Sequence, residues 1–207
     1  MGLPIDYLQS ECASVSQQQS EFLNRVAACH AQLGIAPALL AQALAGECTQ
    51  PLCPEATVLV SIGLDAFGRE QRLHPQAAQA WRTLTREAEA DGIALGLVSA
   101  YRGLDYQTEL IRRKLEAGQA LSSILKVSAA PGFSEHHTGY AVDVMALGSE
   151  PLEVEFEHSA CFDWLQRRAG GFGFTLSYPR NNAAGIDYEP WHWCFSEAKE
   201  FDPSQGL

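Results

Sequence analysis

Two short stretches leave this chain little freedom in how it folds. The first is Ser134-Glu135-His136-His137-Thr138-Gly139-Tyr140-Ala141-Val142-Asp143; the second, about fifty residues later, is Glu189-Pro190-Trp191-His192. If their imidazoles and carboxylates act together, the fold has to carry residue 192 back beside residues 136–143. Two helical turns would align His136 with Asp143. Gly139 and the alternation that follows it favour instead a loop running into a strand, with Ala141, Asp143 and Met145 on one face. His192 falls in the last strand. A regular strand would point Glu189 and His192 to opposite faces, but Pro190 cannot donate a ladder hydrogen bond. An irregular segment there brings both into one cleft.

Two imidazoles and a carboxylate can seat one metal ion with a fourth position open, the arrangement by which zinc activates water. Two imidazoles and one carboxylate, without a thiolate, make a set that suits zinc. Glu189, not needed as a ligand, is a base of the kind a hydrolase requires. His137 competes with His136 on spacing alone. His30, His74 and His158 have no such partners and read as surface or packing residues.

Bulk properties narrow the class. At 207 residues, 46% hydrophobic and 19% charged, the chain can bury a core of its own. A net charge of −11 argues against nucleic-acid backbones and anionic lipid as partners. A carboxylate-bearing ligand would have to be captured by a local positive group. Ala36–Ala45, the most apolar stretch, is too short to span a bilayer. Residues 1–30 carry Asp6, Glu11 and Glu21 without an apolar run, so no signal peptide is expected; a cytoplasmic location is the expectation, with the periplasm as the alternative. Six cysteines occur without a Cys-x-x-Cys, and free thiols are expected, with Cys48–Cys53 as the candidate disulfide.

Helices are expected over about 14–33, from Pro37 to Ala45, over 75–91 with Ala77, Trp81, Leu84 and Ala88 on one face, over 105–117, and over 163–168. Strands are expected at Val58–Ile62, Ile93–Ser99 and Tyr140–Met145, and as a final hairpin of residues 170–178 and 186–195 about a turn at 181–185. The Arg112-Arg113-Lys114 run reads as a solvated face. The sum is an α+β fold, a single domain with a mostly antiparallel central sheet flanked by helices. Residues 1–53 read as an N-terminal helical extension and 54–200 as the domain proper.

Ser134-x-His136-x-x-Gly139-x-Ala141-x-Asp143 followed by Glu189-x-x-His192 resembles the VanY-type zinc D-alanyl-D-alanine carboxypeptidases, a group shared with VanX-like dipeptidases, certain phage endolysins and the hedgehog domain. Ser99-Ala100-Tyr101-Arg102, with Gln107 after it, looks like that family's Ser-x-Tyr-Arg element. The resemblance covers roughly residues 57–196. It implies one Zn2+ per chain on His136, Asp143 and His192, Glu189 as general base, and Arg102 beside the scissile carbonyl. It implies Ser134, Gln107, Tyr101 and Trp191 as substrate-contacting residues, and a peptidoglycan-derived peptide as the substrate. One departure stands out: relatives often continue after Trp-His with aromatic-Arg, whereas Trp193 here precedes Cys194. The expectation is a metallopeptidase removing a terminal D-alanine; the alternative is a non-catalytic zinc-containing binding module.

Overall fold

The computed structural model describes residues 5–196, with side chains from residue 17 onward; residues 197–200, expected to close the domain, lie outside it. Four strands form the central sheet in the order β3-β4-β6-β5: β3 (Leu95–Ser99), β4 (Ala141–Ala146), β6 (His192–Phe195) and β5 (Phe174–Leu176). Every neighbouring pair is antiparallel. A separate hairpin pairs β1 (Val60–Leu64) with β2 (Glu70–Leu73). The helices are α1 (Ile5–Leu33), α2 (Pro37–Leu44), α3 (Pro75–Ala90), α4 (Leu104–Glu116), the short α5 (Leu121–Ile124) and α6 (Ala160–Arg168). Among the described residues no helix is long and apolar enough to cross a membrane.

The sheet is held by α3 and α6. Pro75 opens α3, where a missing N–H costs nothing. Ala77, Ala78, Trp81, Leu84 and Ala88 are buried along one stripe. That stripe meets Leu97, Val142, Val144 and Trp193 of the sheet and Trp164 and Leu165 of α6, and the Trp81 ring stands edge-on to Phe174. Gly92, at φ 75°, ends the helix in the left-handed conformation.

Two further clusters pack the N-terminal helices against α4. Val26 and Cys29 meet Leu104, while Leu33 and Ile35 join Ile111, Ile124 and Phe133. His30 is a packing residue: its ring lies against Phe133, and one ring nitrogen is 2.9 Å from the Pro131 carbonyl. Cys29, Cys48, Cys53, Cys161 and Cys194 are free thiols.

Three departures from the expected elements have physical reasons. Gly63 adopts φ 95° and the β1–β2 register shifts beside it, so β1 runs two residues later than the apolar run suggests. β2, Glu70-Gln71-Arg72-Leu73, is absent from the sequence reading because only Leu73 of its four side chains is buried. The final hairpin closes through a long segment, 177–191, rather than a tight turn. Ile186 is buried, and Asn182 bonds the carbonyls of Pro179 and Ile186, folding that segment on itself.

Candidate metal centre and active site

Sheet register puts the chemistry in one row. Asp143 on β4 lies directly opposite His192 on β6 and opposite Ser99 on β3. Side chains opposite one another on antiparallel strands share a face. His136 reaches this row from a 3-10 turn, Glu135–Thr138, that ends at Gly139. Gly139 has φ 72°, and a Cβ there would stand 2.9 Å from the His74 backbone nitrogen. Only glycine fits, and the chain turns straight into β4.

His136, Asp143 and His192 are all buried, and one ligand atom from each falls within 4.8 Å of the others. His136 Nδ1 is 2.6 Å from the Ala100 carbonyl, which can only accept, so the proton sits on Nδ1 and the Nε2 lone pair faces inward. Nε2 is 3.1 Å from Asp143 Oδ2 yet has no hydrogen-bond partner. Burial, with the nearby Arg102 charge, lowers the His136 pKa to about 4. His192 differs. Its Nδ1 is 2.9 Å from Asp143 Oδ1 and its Nε2 is 2.8 Å from Glu135 Oε2. Burial opposes its charge, but the two carboxylates outweigh this and raise the pKa to about 10. Asp143 stays ionised well below the usual range: its burial is overcome by His136, His192 and Arg102.

Glu189 sits just before β6 in a tight turn. Its carbonyl accepts the His192 N–H at 3.1 Å, and its own N–H donates to the Tyr178 carbonyl. This is the irregular segment that Pro190 implied. It leaves Glu189 Oε2 3.9 Å from His192 Nδ1. Burial raises the Glu189 pKa to about 7, against the pull of His192 and Arg102. Arg102 Nη1 donates to Asp143 Oδ2 at 3.2 Å and to Ser99 Oγ at 3.5 Å, while its Nε is buried without a partner.

His137 has no lone pair left for a metal. Its Nδ1 is 2.6 Å from the Arg102 carbonyl, and its Nε2 accepts the Gly132 N–H at 3.1 Å. It fixes the backbone of Arg102 instead. Of the four expected substrate contacts, Ser134 is buried at the head of the 3-10 turn. Gln107 lies fully buried under the loop after α5, donating to the Ala129 carbonyl at 2.8 Å. The Tyr101 hydroxyl points at Glu55, 3.5 Å away. Trp191 is half-buried against the sheet core, and its carbonyl accepts the Val144 N–H. Glu135 was not singled out from the sequence, since an acidic residue beside a histidine carries no signal of its own.

A buried imidazole–carboxylate centre with a second carboxylate at its mouth, on an antiparallel sheet flanked by helices, has close counterparts among known peptidases. Residues 70–198 match the VanY family, D-alanyl-D-alanine carboxypeptidase. The chain belongs to that family. It is 35% identical over 133 residues to the bifunctional D-Ala-D-Ala dipeptidase and carboxypeptidase VanXYC of Enterococcus gallinarum, covering 58% of this chain and 65% of that protein. It is 31% identical over 127 residues to the putative carboxypeptidase YodJ of Bacillus subtilis, covering 60% of this chain and 46% of that protein. The match thus spans less than two thirds of the length of either relative. Among solved structures, the LdcB LD-carboxypeptidase superposes with a TM-score of 0.65 at 29% identity, covering 73% of this chain and 75% of that one. VanYB in complex with D-alanine-D-alanine gives 0.55 at 28%, covering 70% and 81%. A related VanY D,D-pentapeptidase was solved in complex with Zn(II).

Proposed function

We propose that this chain is a zinc-dependent carboxypeptidase that removes the terminal D-alanine of peptidoglycan stem peptides. One observation carries the metal: the buried His136 Nε2, with the ring proton held on Nδ1 by the Ala100 carbonyl, lies 3.1 Å from an Asp143 carboxylate oxygen and has no hydrogen-bond partner. Two electron-rich atoms that close repel each other in a dry site, and a cation between them turns the repulsion into ligation. His136 Nε2, Asp143 and His192 Nδ1 fit zinc in donor type and number. Zinc, when bound, supplies Lewis acidity toward the scissile carbonyl and toward water.

The chain's own residues do the rest. Glu189, whose pKa near neutrality suits proton transfer in both directions, takes the proton of the attacking water and delivers it to the leaving amine. Arg102, held by Asp143 and Ser99, offers preset donors to the negative charge developing on the carbonyl oxygen. A purely structural zinc needs neither group and prefers four protein ligands, which disfavours the binding-module reading.

The test is release of D-alanine from synthetic tetrapeptide and pentapeptide stems by protein loaded with one equivalent of zinc. Release abolished by a chelator and restored by zinc is expected. The Glu189→Gln variant should lose about 10^2–10^4-fold in kcat while holding its zinc. No release from either stem, or loss of zinc from Glu189→Gln, refutes the assignment.

A further inference from the structure

The Arg112-Arg113-Lys114 run does not behave as one solvated face. Arg112 pairs with Glu109 and Glu116, and Arg113 with Glu109, on the outside of α4. Lys114 instead continues the stripe of Gln107 and Ile111, spaced i, i+4 and i+7, whose side chains are buried. Its ammonium donates to Ser128 Oγ at 2.7 Å. Among the described residues no carboxylate forms an ion pair with it. Burial lowers its pKa; the Arg102 charge adds to that and Glu189 opposes it, so Lys114 lies within the field of both groups.

The neighbouring backbone explains the placement. Ser128 stands in the loop that Gln107 grips at Ala129 and that His137 grips at Gly132. The same loop accepts the Asp187 N–H at the Lys126 carbonyl, 2.7 Å, two residues before Glu189. The loop therefore bridges α4 and the segment that carries Glu189. A half-buried ammonium against that bridge has three donor positions, of which Ser128 uses one.

We propose that Lys114, with its partner Ser128, anchors the terminal α-carboxylate of the peptide substrate. The proposal rests on the carboxypeptidase reading above. An enzyme that trims only chain ends has to recognise the free carboxylate, and a chain of net charge −11 repels it in general. Arg102 is paired with Asp143 and assigned to the carbonyl oxygen, whereas Lys114 has no carboxylate partner among the described residues. Its four-carbon stem places the charge without the rigid fork of arginine, which suits a single carboxylate approached from one side.

The experiment compares one stem peptide as the free acid and as its C-terminal amide, on wild type and on Lys114→Met, Lys114→Arg and Ser128→Ala. Lys114→Met should raise KM for the acid about tenfold or more, with kcat within about threefold. The amide should be unaffected, and Lys114→Arg should recover part of the loss. Ser128→Ala, which keeps the ammonium, should shift KM by less than Lys114→Met. The proposal falls if Lys114→Met leaves KM for the acid unchanged. It falls equally if acid and amide suffer alike, or if Ser128→Ala reproduces Lys114→Met in full, since Lys114 is then only a tether for the loop. Calorimetric binding of the same two peptides to Glu189→Gln, with and without Lys114→Met, reads the acid-over-amide preference without turnover. Failure of the peptidase reading is thereby separated from failure of the anchor.

Discussion

At the scale of single residues, the centre is built by giving every ring nitrogen of His136 and His192 a hydrogen-bond partner except one, His136 Nε2. The Ala100 carbonyl fixes the tautomer of His136, and the Glu135 carboxylate fixes the face of His192. Carboxylates and carbonyls behind metal-binding imidazoles orient the ring and raise its basicity. Glu135→Gln should therefore weaken zinc binding by about 10–100-fold in a chelator competition, with the fold intact by circular dichroism. An unchanged zinc affinity would reduce Glu135 to a bystander. Spacing offered His136 and His137 equally, because order along the chain says nothing of what each ring touches. The two differ only once Gly132 and the Arg102 carbonyl have taken both nitrogens of His137. Lys114 misled for a related reason: a run of three cations looks uniformly exposed, although helical spacing puts its last member on the stripe of Gln107 and Ile111.

At the scale of elements, α3, β3, α4 and β4 were legible because their apolar patterns extend over several residues and their ends carry Pro75 or Gly92. β2 was not, since its pairing is set by a polar turn rather than by its own side chains. Asp65 organises that turn: its carboxylate accepts the backbone N–H groups of Phe67 and Arg69 and the side chains of Arg69 and Gln71. Burial alone would raise its pKa, but these bonds outweigh it and hold the pKa below the ordinary value. The sign follows. A carboxyl more acidic when folded stabilises the protein above its unfolded pKa, about 4, and that share is lost as pH falls through the folded value. Asp65→Asn should cost about 1–3 kcal/mol at pH 7 in urea unfolding, with the deficit shrinking below about pH 4. A deficit independent of pH would show that the charge plays no part.

At the scale of the whole molecule, the N-terminal helices share a core with the segment that frames the cleft. Val26, Leu33 and Ile35 are almost fully buried against residues that include Leu104, Ile111 and Ile124. Each such side chain is worth about 1.5–3 kcal/mol, so deleting residues 1–36 should remove at least about 4 kcal/mol, a large share of a domain's stability. A deletion variant that melts at the full-length temperature would show that α1 merely rests on the surface. The row Ser99–Asp143–His192 has a consequence of its own. Side chains on a strand alternate, so a slip of one position between β4 and β6 would send Asp143 and His192 to opposite layers of the sheet. Mispaired molecules would have nowhere to seat a cation, and metal uptake by a refolding sample would count only those chains whose strands had found their proper partners.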